Sequence, residues 1–180
     1  LQEEGPKPWL GVEIQSNQGP WRFEDRYPMT DTTELVWELG SADLASVGGG
    51  NTIRPDASSG PVYETPPLEE DLYFGGLPRL HVNVNTATVG GQIYALLEDC
   101  DGANCIHIGH AIMDLRYHAG GDDEQTWTPV FEEITALMEF FPMDVEVPAG
   151  HTIKLTLRST GEDYLPSAAS TLVTVVDAGS

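Results

Sequence analysis

The chain has 180 residues, with 29 Asp+Glu against 8 Lys+Arg and a formal net charge of -21. Nucleic-acid binding needs a basic footprint, so a field of this sign excludes it, and the same field is repelled by an anionic membrane surface. No stretch approaches the roughly 20 apolar residues of a membrane-spanning helix, so no membrane insertion is expected, and no signal peptide is visible at the start.

Four Trp, six Tyr, five Phe and 40% hydrophobic residues supply enough apolar surface for a core, which argues against disorder. The length suits a single domain over residues 1–180. Three meanings compete for the acidic excess: a solvated surface, adaptation to a high-salt environment, or a cation-binding face. Lys7 and Lys154 are the only lysines, which favours the salt reading over an ordinary mixed surface.

In chain order, Trp9-Leu10-Gly11-Val12-Glu13-Ile14 and Leu35-Val36-Trp37-Glu38-Leu39 are short apolar runs bounded by turn residues. They are expected as strands within an N-terminal part spanning 1–40. Residues 41–70 carry Gly48-Gly49-Gly50, Ser58-Ser59-Gly60-Pro61 and Pro66-Pro67, and are expected as a long irregular surface loop pinned by Val62, Tyr63 and Leu68. From residue 72 the pattern alternates. Leu80, Val82 and Val84 define one strand face, and Ile93, Ala95 and Leu97 another. Ile106 and Ile108 share one parity whereas Met113, Leu115 and Tyr117 share the other, so a bulge is expected near Gly109-His110. Ile153, Leu155 and Leu157 face inward, and Leu172 to Val176 form the last strand. Such spacing with Gly/Pro turns predicts an all-β antiparallel sandwich. One segment conflicts: Phe131, Ile134, Leu137, Met138 and Phe141 recur at helical spacing, and periodicity alone favours a helix there.

Cys100 and Cys105 flank Asp101-Gly102-Ala103-Asn104. A disulfide across this short turn is favoured over free thiols or a metal. Zinc needs about four ligands, so His107 and His110 would have to join, yet two histidines three apart on one regular strand point to opposite faces. A disulfide adds only about 2 kcal/mol across so short a loop, and it implies an oxidising compartment, with an extracellular or cell-surface location as the expectation.

Four stretches, read together, resemble the C-terminal domain of the X-Pro dipeptidyl-peptidase and cocaine-esterase family of serine hydrolases. They are Val62-Tyr63-Glu64-Thr65-Pro66-Pro67-Leu68 leading into a strand, Gly75-Gly76-Leu77-Pro78-Arg79-Leu80 with the strand ending Ala95-Leu96-Leu97-Glu98-Asp99, Ile108-Gly109-His110 through Arg116-Tyr117, and Val147-Pro148-Ala149-Gly150-His151. Trp9, Gly19-Pro20-Trp21-Arg22 and Tyr27-Pro28 resemble the entry to that domain. The resemblance implies a jelly roll of the galactose-binding-like type, and therefore a strand instead of a helix at 130–141. It also implies that the Ser, Asp and His of catalysis lie in an α/β-hydrolase domain whose motifs this sequence lacks; no Gly-x-Ser-x-Gly elbow occurs.

The remaining candidates are weighed singly. Asp99, Asp101, Asp122 and Asp123 could offer oxygen ligands to Ca²⁺, a weak signal because the downstream Glu of a full calcium loop is missing; no other cofactor is expected. Trp9, Trp21, Trp37 and Trp127 could form a sugar-stacking platform, although core or domain-interface packing is the commoner role. The Trp21-Arg22-Phe23 and Tyr27-Pro28 group suits an interface, where aromatics and Arg dominate. Gly150 is expected at positive φ, and His151 as a turn histidine bonding local backbone, since no nucleophile is evident for it to activate. The chain thus reads as a non-catalytic accessory domain that packs on an α/β-hydrolase domain. The rival is a carbohydrate-binding module, calcium-stabilised. The isolated chain is expected not to hydrolyse Ala-Pro or Gly-Pro chromogenic substrates; hydrolysis abolished by a His151 substitution would overturn this.

Overall fold

The computed structural model describes residues 11–17, 19–29, 32–55, 60–118, 129–161, 164–165 and 172–176. Two sheets dominate. The first holds β3 (Ala45–Gly48), β5 (Val62–Glu64), β12 (Thr152–Arg158), β8 (Gln92–Asp101) and β9 (Asn104–Asp114), in that spatial order. The second runs β10 (Glu133–Glu139), β7 (Arg79–Thr86), β13 (Val173–Val176) and β4 (Thr52–Ile53). Two smaller ribbons flank them: β1 (Val12–Gln15) with β2 (Trp21–Glu24), and β6 (Leu72–Gly76) with β11 (Met143–Val147). Every pair of strands is antiparallel. This is the β-sandwich that the alternating pattern predicts.

Alternation places the core. Val82 and Val84 of β7, Val173 and Val175 of β13, and Ala136 and Met138 of β10 are fully buried, in one cluster with Ile93 and Ala95 of β8 and Ile153 and Leu157 of β12. Burying each such side chain stabilises the fold by about 1.5–3 kcal/mol relative to exposure, before the entropy of ordering the chain is counted. The segment with helical periodicity is β10. Its exposure alternates strictly, and Ile134, Ala136 and Met138 lie opposite Val84, Val82 and Leu80 of β7. Three of the five residues on the helical face, Phe131, Leu137 and Phe141, are solvent-exposed instead. Pairing along the whole of β7 buries more than an isolated amphipathic turn could, and tertiary context outweighs the local period.

Two expectations need correction. Residues 41–70 are not a plain loop: β3, β4 and β5 lie within them and extend both sheets at their edges. The glycine run serves that packing, because a Cβ on Gly49 (φ +77°) would stand 1.7 Å from the Gly60 carbonyl oxygen. Leu35 to Leu39 form no strand; Leu39 is buried and Trp37 packs edge-on to Phe74 at 5.8 Å between ring centroids.

The predicted change of phase in β9 is a bulge. Leu97 lies opposite Gly109 and Glu98 opposite His107, leaving Ile108 as the extra residue. Gly109 leaves room there for Met143, whose methyl would stand 2.3 Å from a Cβ and would have to move aside for one. Past the bulge, Met113 lies within β9, which ends at Asp114, but Leu115 and Tyr117 do not continue the strand: they belong to a single 3-10 turn, Leu115–Tyr117. That turn is capped by Asp114, which also pairs with the Arg116 guanidinium.

The strand assignment of β10 is checked by a pair of substitutions. Met138→Asp places a carboxylate in the sealed core and is expected to cost more than about 4 kcal/mol, whereas Leu137→Asp on the open face should stay within about 0.5 kcal/mol. Urea unfolding of the two variants measures both; equal losses would restore the helix.

Candidate docking site

The N-terminal hairpin is built as a two-faced wall. Strand alternation turns Ile14 and Arg22, cross-strand partners, toward the protein, and Trp21 and Phe23 away from it. Arg22 anchors the wall. Its guanidinium forms a bidentate pair with Asp144 of β11 at 2.9 and 2.7 Å, a further bond to Glu24 at 2.8 Å, and sits 5.0 Å from the centre of the Tyr73 ring. The Asp144 side chain is almost wholly buried, so the fork of donors is what makes its charge tolerable there. Asn17 adds a peptide-like double bond with the backbone of Glu146, at 3.1 and 2.8 Å. The Tyr27 hydroxyl, at the cis Tyr27-Pro28 step, shares its one proton between the carbonyls of Gly76 and Met143, at 2.5 and 2.7 Å. Burial pushes the Tyr27 phenol above its ordinary value.

Between this wall and the sandwich lies an open groove of about 1660 Å³. Leu97, Ile153, Leu155 and Phe140 reach its floor; residues 32–39 form one side and 72–81 the other. Its volume exceeds the roughly 300–1,000 Å³ of small-molecule pockets, and its mouth is open, which suits a polypeptide surface. Apolar side chains stand exposed along it: Leu35, Val36, Tyr73 and Leu77. Val36 is 72% exposed. Trp21 (65%) and Phe23 (60%) present a second apolar face on the outer side of the hairpin. Exposed apolar side chains grouped in this way make the groove and the hairpin a candidate contact surface.

The candidates from sequence therefore separate. Trp21 is open to solvent as an interface or platform residue must be. Phe23, of the same group, is exposed beside it, whereas Arg22 and Tyr27 are spent internally, as clamps holding the wall. The signal for that division was the strand parity of Trp21-Arg22-Phe23. Trp9, Trp127, Asp122 and Asp123 lie outside the described residues. Cys100 and Cys105 are bridged and face each other across the β8–β9 hairpin. Asp101 is exposed at the hairpin turn, but Asp99 is buried at 3% exposure and accepts a 2.7 Å bond from His151 Nδ1. This corrects the expectation of a turn histidine bonding local backbone: the ring bonds Asp99 instead, and the backbone N–H of His151 donates to the Pro148 carbonyl. The turn Pro148-Ala149-Gly150, with Gly150 at φ +86°, delivers the ring to a buried carboxylate 52 residues away in sequence. Among the described residues no group of three His, Cys, Asp or Glu side chains is arranged to hold a metal, and the pairing with His151 removes Asp99 from a calcium set.

The model of the X-Pro dipeptidyl-peptidase C-terminal non-catalytic domain matches residues 6–180. The chain belongs to that family. Solved structures share the fold at low identity. A CocE/NonD family hydrolase from Staphylococcus aureus matches with a TM-score of 0.71 and 10% identity, over 96% of this domain and 40% of that chain. An aminopeptidase from a marine sediment archaeon, Thaumarchaeota archaeon, matches with a TM-score of 0.66 and 14% identity, over 88% of this domain and 36% of that chain. An alpha-amino acid ester hydrolase matches with a TM-score of 0.54 and 16% identity, over 64% and 23%. The domain therefore spans well under half the length of these proteins. No curated protein matches it.

The hairpin clamp has a pH signature. A phenol whose pKa is raised on folding contributes stability that is fully present below its unfolded value of 10.0 and is lost as pH rises through the folded value. Stability should therefore fall above pH 10 as Tyr27 ionises and has no proton for the two carbonyls. Tyr27→Phe should lose about 1–2 kcal/mol at neutral pH and flatten that alkaline limb, read from denaturant melts at pH 8 to 11.

Proposed function

We propose that this chain is the C-terminal accessory domain of a serine hydrolase that cleaves peptides or esters, docked in cis on an α/β-hydrolase domain. The observation that carries the reading is the match to a non-catalytic hydrolase domain over residues 6–180, in relatives that devote most of their length to something else. The groove walled by residues 32–39 and the outer face of the β1–β2 hairpin supply the contact surface. Chemistry then belongs to the partner: acyl transfer to water through a serine nucleophile. This domain supports that partner and helps to wall its substrate cleft. The His151–Asp99 pair resembles two-thirds of a triad in composition only, because it braces a turn with a buried carboxylate and no nucleophile is hydrogen-bonded to it among the described residues.

The disulfide and the charge of -21 support a secreted, salt-exposed setting. Thiol labelling of protein taken from its native source should find Cys100 and Cys105 protected; labelled thiols would reject that setting. A sugar-binding role has one supporting feature, the exposed Trp21 and Phe23, and polysaccharide affinity gels would reveal it as retarded migration lost in Trp21→Ala.

The docking test uses the intact gene product. Leu35→Asp with Val36→Asp changes exposed side chains and should alter the stability of this domain by no more than about 0.5 kcal/mol per site. In the full-length protein it should loosen the domain contact, seen as faster proteolytic release of this domain and a lower melting temperature of the hydrolase domain. A gene product without an α/β-hydrolase segment, or one indifferent to both substitutions, would overturn the proposal.

A further inference from the structure

The bulge in β9 has a second consequence, on the outer face of the five-stranded sheet. Two residues three apart on a regular strand face opposite ways, but the extra residue Ile108 restores His107 and His110 to one side. His107 Nε2 and His110 Nδ1 stand 3.1 Å apart. Two nitrogens bound to one first-row metal at about 2.0–2.1 Å, at angles between about 90° and 110°, are separated by about 2.9–3.4 Å. The two imidazoles are hydrogen-bonded to each other at this distance, which is also the spacing of adjacent ligands on a common ion, so a small turn of the exposed His107 ring would aim both lone pairs at one ion.

The surroundings favour the same chemistry. His110 is partly buried and held by rings on several sides: Tyr94 stacked at 5.5 Å, Phe141 edge-on at 5.1 Å and Tyr164 at 5.6 Å between centroids. Its Nε2 lies 2.9 Å from the Tyr164 hydroxyl. In the tautomer where Nε2–H donates to that oxygen, the Nδ1 lone pair is directed at His107, the second-partner arrangement that fixes metal-binding histidines. His107 is solvent-exposed, so its ring can turn to aim its lone pair and an ion can enter. Glu98 lies directly across from His107 in the β8–β9 register and is paired with Lys154 at 3.0 Å. Cys105 is bridged to Cys100 and takes no part.

We propose that His107 and His110 form a two-histidine site for a borderline divalent transition ion of the Cu²⁺, Ni²⁺ or Zn²⁺ class, bound through His107 Nε2 and His110 Nδ1. Water completes the coordination. The proton now lying between the two rings moves to His107 Nδ1, so neutral imidazoles take the ion without net proton loss.

The test is calorimetric titration of the tag-free protein with CuCl₂, NiCl₂ and ZnCl₂ separately, in about 1 M NaCl to screen the acidic surface. One ion per chain should bind, Cu²⁺ most tightly. His107→Ala, His107→Gln and His110→Ala should each weaken binding by more than about tenfold, while His81→Ala, an exposed histidine on the opposite sheet, should not. The Cu²⁺ EPR spectrum should show coupling to two imidazole nitrogens, and melting temperatures confirm that the variants fold. Binding that survives loss of both histidines, one-nitrogen coupling, or no saturable binding would each overturn the proposal.

Discussion

Strand β8 is the element on which the rest of the molecule depends. It is hydrogen-bonded along its full length to β9 on one side, and to β12 from Tyr94 to Cys100 on the other. A strand flanked in this way has its peptide groups satisfied, so burying one of its faces costs no orphaned donors. Ile93, Ala95 and Leu97 can therefore be sealed against the second sheet, and Leu97 also reaches the floor of the groove. The outer face of β8 and β9 carries the polar consequences: Glu98 with Lys154, and the two histidines brought to one side by the bulge.

Polar groups in this fold hold pieces together at the margins of the apolar core. Arg22 and Asp144 fasten the N-terminal hairpin to β11; Tyr27 fastens the following turn to β6 and β11; His151 and Asp99 fasten the turn before β12 to β8. Each joins segments far apart in sequence, and each spends a side chain that would otherwise be free to meet a partner. What remains free is apolar. Trp21, Phe23, Leu35 and Val36 stay in solvent because the clamps beside them fix the backbone without covering them. An accessory domain needs this combination, a rigid wall with an uncovered apolar surface.

Much of this was legible in the order of residues. The alternation in Leu80-Val84, Ile93-Leu97 and Ile153-Leu157 places the inward faces correctly, since a period of two survives any register. The break in parity between Ile108 and Met113 announces the bulge. The two cysteines about a Gly-containing turn announce the bridge. Phe131 to Phe141 carries a helical period, and it was the family resemblance that pointed to the strand formed there against β7. Two features were not legible. The short strands in 41–70 are edge strands with few apolar residues, whose existence depends on the neighbours they pair with. The partner of His151 is a carboxylate 52 residues away, a distance no local motif encodes.

By itself, then, the sequence determined the class of the fold, its inward faces and its net charge of -21, because composition and period are local properties of the chain, and its ordered motifs pointed to the family whose model matches residues 6–180. Tertiary structure alone decided which of Trp21, Arg22, Phe23 and Tyr27 are clamps and which are exposed, and that His107 and His110 meet. Those outcomes depend on where strands register and where one extra residue is inserted. A shift of one residue reverses every side chain beyond it, so such facts exist only once the sheets have paired.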